Sequence, residues 1–304
     1  MNDIHQAIIP LTGDSPDLLS ASFAVPRVML PVFTRDGRCI PFVQMLVEEC
    51  VQAGIDRILL VTTPGNDSAV RMHFDVKTPK PVSQKARADK TLSGELKNLV
   101  KLCHHIDIIE QLEPEGDAQA VFAVQNWIDS DRFLVYPSRA VVRSHSKSTC
   151  LQQLLAQCPA QHHGALALYL RKWGLGHDIL WAVGSPHSDR SSQLTITRLM
   201  RNSGGENLRT ELGPPLLNGD HYPVLLGPCI ATRRLFEIIA TMVEEDIDDS
   251  GLFFLTEAFR IWSEVDGLLG ILIDGERMPI LDPINYLKAA SADSRRSAPI
   301  KIAP

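Results

Sequence analysis

The sequence predicts an α/β fold in which a central mixed, mostly parallel sheet is flanked by helices. Three observations predict it. Continuous apolar runs such as Ile58 to Val61 (ILLV) and Ala165 to Leu170 (ALALYL) read as strands buried on both faces. Segments with apolar residues at helical spacing stand between such runs, punctuated by Gly, Pro, Asn and Asp. Their order over residues 1–170, strand then helix then strand, is that of parallel strands joined by helical crossovers, so the sheet is expected to be doubly wound.

The elements follow in order. Ala7 to Leu11 (AIIPL) is a first strand, stopped by the turn formers Thr12, Gly13, Asp14, Ser15 and Pro16. From Ile40 to Ala53, the residues Val43, Leu46, Val47, Cys50 and Val51 share one helical face, and Gly54 supplies the stop. Ile58 to Val61 is the next strand and Asn66 to Phe74 the next helix. Lys77 to Lys90, rich in Lys and Arg and carrying Pro79 and Pro81, reads as an exposed loop. A helix over Ser93 to Leu102, a strand over Ile106 to Glu110, a helix over Ala118 to Trp127 and a strand over Phe133 to Tyr136 continue the alternation. Leu151 to Gln157 reads as helix and Ala165 to Leu170 as strand.

Beyond Arg171 the periodicity weakens. Strands are expected at Ile179 to Val183, Leu194 to Arg198 and Pro223 to Gly227, and helices at Arg233 to Val243 and Leu255 to Val265, which implies a less regular half. Residues 1–290 are expected to form one domain with halves at 1–170 and 171–290. Residues 291–304, rich in Ala, Ser, Pro and Arg, read as a flexible tail.

Composition narrows the function. The chain has 304 residues and 30 Lys+Arg against 36 Asp+Glu, a formal charge of -6, which offers no basic footprint for a nucleic-acid backbone. No apolar run reaches the roughly 18 to 20 residues of a membrane span, and the N-terminus lacks the pattern of a signal peptide, so a cytoplasmic location is expected. Six widely spaced cysteines form no C-x-x-C pair and read as reduced thiols. The adjacent pairs His104-His105 and His162-His163 have the wrong spacing to converge on one metal.

Several blocks, in order along most of the chain, resemble the bacterial-type UTP-glucose-1-phosphate uridylyltransferases, within the sugar-phosphate nucleotidyltransferases. AIIPLTG and AVPRVMLPV (Ala24 to Val32) are similar to the family's AVIPxAG and AIPKEMLPI. Val47 to Asp75 is similar to VEEAxxAGIxxIxxVTxxxKxxIxxHFD, and Gln111 to Gly116 matches Q-x-x-P-x-G. Phe133 to Val141 lies where the family has FxVxLPDxx, Gly251 to Phe259 resembles GEIQLTDAI, and Leu281 to Ala289 resembles GDKLGYLKA. The resemblance implies a Rossmann-like nucleotide-diphosphosugar transferase fold, with uridine bound by the first half and the sugar phosphate by the second. It further implies joining UTP and glucose 1-phosphate into UDP-glucose and pyrophosphate with Mg2+. Such chemistry rests on positioning and on neutralising polyanions.

The family's phosphate loop, G-x-G-T-R-x-x-P, is here Gly13-Asp14-Ser15-Pro16-Asp17-Leu18-Leu19-Ser20, with the Arg replaced by Asp17 and an N–H donor removed at Pro16. Arg27 stands at the catalytic Lys position. Arg139 stands at the metal-binding Asp position, and of the later Y-D-I-G-D acids only Asp282 remains, with Pro279 in place of the first. Glu211 is a loose match to the sugar-binding Glu of E-K-P, whose Lys is missing, and Leu252 replaces the Glu of GEIQLTD. Thr12, Gly13, Gln111 and Gly116 remain at nucleotide-binding positions, the last two where the family recognises the uracil edge. Read from the residues alone, Gln111 also fits a surface residue at a strand end and Arg27 a partner for Asp17.

Two readings follow. In the first the chain is a divergent member with weak or lost catalysis that binds nucleotide or nucleotide sugar, forming homo-oligomers or regulating an active paralogue by mixed oligomerisation. In the second it is a working uridylyltransferase whose Arg27 and Arg139 carry the phosphate charge.

Overall fold

The structure, a computed structural model, describes residues 3–12, 18, 22, 25–75, 90–113, 115–174, 179–187, 190–201, 207–213, 220–245 and 254–291. The phosphate-loop residues Gly13 to Asp17, most of the expected basic loop, Leu252 and the tail from Ala292 lie outside them.

β1 (Gln6–Pro10) leads to a 3-10 turn at Arg27–Met29 and a hairpin of β2 (Pro31–Phe33) and β3 (Cys39–Pro41). Then come α1 (Phe42–Gln52), β4 (Arg57–Thr62), α2 (Asp67–Phe74), α3 (Lys90–Cys103), β5 (Ile106–Glu110) and α4 (Asp117–Ala123). A 3-10 turn at Gln125–Trp127 precedes β6 (Arg132–Val135), β7 (Ala140–Ser144), α5 (Cys150–Gln157), β8 (Ala165–Lys172), β9 (Leu180–His187) and β10 (Arg190–Arg201). The described chain is completed by α6 (Asn207–Leu212), β11 (His221–Thr232), α7 (Arg233–Glu244), α8 (Leu255–Val265), β12 (Leu268–Leu272), β13 (Gly275–Pro279) and α9 (Pro283–Ser291).

Nine strands make one sheet in the order β5-β4-β1-β6-β11-β8-β12-β10-β9. β5, β4, β1 and β6 are mutually parallel, whereas β11 runs antiparallel to both β6 and β8. β12 is parallel to β8, and β10 runs antiparallel to β12 and β9. The expected mixed, mostly parallel sheet is thus present, and its irregularity falls in the later strands. β8, which continues the strand–helix alternation in sequence, sits beyond β11 and away from the first four strands.

Both sheet faces are covered. Ala7 and Ile9 of β1 join a core with Leu46 and Val47 of α1 and Leu151 and Leu154 of α5. Ile8, between them, joins the opposite core with Val121 of α4, Ile239 of α7 and Trp262 of α8. Alternate residues entering opposite cores explain why this strand reads as unbroken apolar sequence. α5 opens with a capping box: Thr149 Oγ1 accepts from Gln152 N at 3.1 Å, and Gln152 Oε1 accepts from Thr149 N at 2.9 Å.

Several expectations are corrected. The helix expected over Ala118 to Trp127 ends at Ala123, and the following 3-10 turn sends Trp127 to Asp107, to which its indole N–H donates at 3.1 Å, with the Arg57 guanidinium 4.7 Å over its ring. Lys90, expected in a loop, opens α3. The hairpin β2–β3 and the separate pair β7–β13 gave no readable alternation, because prolines flank the first and polar residues interrupt the second.

Candidate cleft at the switch point of the sheet

From β1 the sheet grows outward through β4 and β5 on one side and through β6 on the other. Crossovers diverging in this way open a crevice at the carboxyl ends of the two central strands, the usual ligand position in open α/β sheets. Ser138, just beyond β6, closes the two ends together by donating to Pro10 O at 2.6 Å. Asn66 donates to Leu11 O at 3.0 Å and fixes the exit of β1 from the other side.

Three expected site residues meet here. Thr12 is 3% exposed, and its hydroxyl oxygen has no hydrogen-bond partner among the described residues. Arg27, also buried, on its 3-10 turn, donates to Thr12 O at 3.4 Å. Arg139 is half-buried, with its guanidinium carbon 5.4 Å from the centre of the Phe254 ring and its Nε without a hydrogen-bond partner among the described residues.

Asp117 completes the group, and sequence reasoning missed it. Its carboxylate, 6% exposed, accepts from Leu255 N at 2.7 Å. Burial pushes this carboxyl above its ordinary range, and the charge of Arg139, the Leu255 and Asp117 backbone N–H groups and the charge of Arg27 pull the other way. The available signal was the Gly116-Asp117 step at a helix start, where an acid complements the helix dipole.

Of this group Asp117 and Arg139 line a narrow cleft, and Thr12 and Arg27 lie outside its lining. Among the described residues the lining carries three arginines, Arg139, Arg201 and Arg277, and one acid, Asp117, on walls that include Leu225, Leu226 and Phe259. Arg201 donates to Thr256 at 2.8 Å, which holds its guanidinium against the first turn of α8.

Gln111 and Gly116 bracket the approach to α4. Gln111 is 9% exposed, which corrects its reading as a surface residue, and its backbone N–H donates to Thr62 O at 2.8 Å. Its Nε2 donates to Gln119 Oε1 at 3.1 Å, Gln119 donates in turn to the Glu115 carboxylate, and Gln111 Oε1 is left without a partner among the described residues. Gly116 is buried with φ +109°, a conformation that disfavours any side chain.

Glu211 is placed differently. It lies exposed on α6, accepts from Arg198 at 2.8 Å and is absent from the cleft lining. Gly13 lies outside the described residues, as does Asp17, the other partner considered for Arg27.

The described residues do not fit a magnesium site. Magnesium asks for several oxygen ligands at about 2.0–2.1 Å in near-octahedral array. The cleft offers one carboxylate, already accepting from Leu255 and faced by guanidinium groups, while Asp282 accepts from Asn285 through both its backbone N–H, at 2.9 Å, and its side-chain amide. No group of three or more His, Cys, Asp or Glu able to hold a metal ion occurs among the described residues. None of the described helices is long and apolar enough to cross a membrane.

No protein-family model matches the chain. It is 31% identical over 289 residues to the UTP–glucose-1-phosphate uridylyltransferase of Bacillus subtilis, an alignment covering 94% of this chain and 90% of that one. A putative enzyme of the same name from Methanocaldococcus jannaschii is 25% identical over 300 residues, covering 94% and 92% of the two chains. Among solved structures, a UDP-glucose pyrophosphorylase complexed with UDP-glucose superposes with a TM-score of 0.72 at 18% identity, covering 97% of this chain and 100% of that one. A likeness at that identity speaks to the fold.

Proposed function

Because the chain belongs to the UTP–glucose-1-phosphate uridylyltransferase family, we propose that it holds a uridine nucleotide or a UDP-sugar in the cleft, and that magnesium-dependent transfer between UTP and glucose 1-phosphate is weak or lost. The observation that carries this reading is Arg139. It occupies the position that the family resemblance assigns to a metal-binding acid, and it lines the cleft together with Asp117, the one carboxylate of the lining among the described residues. Replacing an anionic ligand by a cation removes the attraction that would bring a metal to the reacting phosphate. Gln111 and Gly116 support the nucleotide part, since a buried acceptor without a partner and a backbone kept clear of side chain suit a base with an N–H on its edge. A role beside an active paralogue in a mixed oligomer belongs to the same proposal and rests on family membership alone.

A second reading keeps catalysis, with guanidinium groups carrying the phosphate charge, and the convergence of Arg139, Arg201 and Arg277 favours it. One experiment separates the two: pyrophosphate release from UTP and glucose 1-phosphate with magnesium, run beside Asp17→Arg/Arg139→Asp. The first reading expects turnover far below about 1 per second, the low end for ordinary enzymes, with a gain in the double variant. Unaltered protein turning over at about that rate or faster supports the second.

A further inference from the structure

We infer that the cleft binds the diphosphate of its ligand through arginine guanidinium groups in place of a divalent cation, so that ligand affinity does not depend on magnesium. The inference rests on the proposed nucleotide reading for the identity of the ligand and on the cleft for its chemistry.

The charge comes from three separate strand regions. Arg139 follows β6, Arg201 ends β10 and Arg277 lies within β13, and all three line one cleft. Among the described residues of the lining, Asp117 is the acid that faces them.

Geometry favours a phosphate-bearing ligand. A guanidinium presents planar paired donors that match two phosphate oxygens at once. The Arg139 guanidinium carbon lies 5.4 Å from the centre of the Phe254 ring, and Arg201 is held by its bond to Thr256, so part of the ordering cost is met before a ligand arrives. The one carboxylate of the lining among the described residues, Asp117, already accepts from Leu255, and guanidinium groups rather than oxygen ligands make up the charged lining around it.

The test is calorimetric titration of the full chain with UDP-glucose, UTP and inorganic pyrophosphate, each with magnesium and with excess EDTA. Arg139→Gln and Arg201→Gln are titrated alongside. Arg201 is exposed, so its variant keeps a folded readout if Arg139→Gln does not. The expected result is a UDP-glucose Kd equal within about threefold in the two buffers and weaker by about tenfold or more in Arg201→Gln. UDP-glucose binding that requires magnesium, or that ignores both substitutions, overturns the inference while leaving the nucleotide reading standing. Metal-free, arginine-dependent binding of pyrophosphate without binding of UDP-glucose upholds the inference and overturns the nucleotide reading. Binding of no anion in either buffer overturns both.

Discussion

The backbone N–H of Leu255 donates to the Asp117 carboxylate at 2.7 Å, joining the first turn of α8 to the first turn of α4 although 138 residues separate them. Phe254, the residue preceding α8, has no side-chain oxygen, so Asp117 supplies from a distance the acceptor that a helix start normally finds next door. Asp117→Asn keeps that acceptor and removes a charge that burial disfavours, so its stability should stay near that of the unaltered protein. Asp117→Ala should lose about 1–2 kcal/mol, the cost of a missing cap. Urea unfolding of the two variants checks this, and equal losses in both would show that the Leu255 contact is not the stabilising one.

Glu49 gives the fold a pH dependence. It is buried in α1, accepts from the Tyr136 hydroxyl at 2.7 Å and from Leu151 N at 3.4 Å, and burial pushes its carboxyl from 4.5 up to about 7 despite these bonds. The folded chain therefore keeps a proton that the unfolded chain releases between those values. Stability is fully present below about 4.5 and falls as pH rises toward about 7, by on the order of 3 kcal/mol from this group. Glu49→Gln has no such proton. Its unfolding free energy should drop less than that of the unaltered protein between about pH 5 and about pH 8, as read by urea titrations at both.

Glu48, one residue earlier, has a different environment. Its side chain is 8% exposed and accepts from Arg38 at 2.7 and 3.0 Å, from Gln44 at 2.9 Å and from Asn98 at 2.8 Å, which ties the turn before β3 to α1 and α3. Arg38→Met leaves this carboxylate with amide donors only and should cost about 3 kcal/mol. Adding Glu48→Gln should return part of that loss, and a double-mutant cycle in denaturant measures it. Simple additivity would mean that the pair is uncoupled.

Gly54 shows how the fold was legible and where legibility stopped. Its φ of +88° stops α1 where the sequence places the stop, because the left-handed region favours a residue without Cβ. The buried strands β1, β4 and β8 were equally visible, since each is apolar on both faces and bounded by turn formers. The cleft was not. Arg27 and Arg139 could be singled out from their neighbours in sequence, but Arg201 and Arg277 lie in strands whose local pattern says nothing about a shared destination. Asp117 was invisible for the same reason, as its chief partner is a backbone group far along the chain. Glu211 shows the converse: it matched the family's residue type, yet its carboxylate is paired with Arg198 on the surface.

The chain Glu115, Gln119, Gln111 fixes the direction of an amide and with it the base preference expected of the cleft. An ionised carboxylate only accepts, so Gln119 must turn its amino group to Glu115 and its oxygen to Gln111. Gln111 then donates to Gln119 and is left presenting Oε1, the buried atom with no partner among the described residues. Uracil offers an N–H where cytosine has a lone pair, so an oxygen fixed in this direction should favour UDP-glucose over CDP-glucose by about tenfold or more. Glu115→Gln can donate as well as accept, which lets both downstream amides reverse and present an N–H instead. The preference should shrink severalfold while the summed affinity for the two ligands changes little. Competition binding of the two nucleotide sugars gives the ratio directly, and a ratio unchanged by Glu115→Gln would mean that the amide direction is set elsewhere.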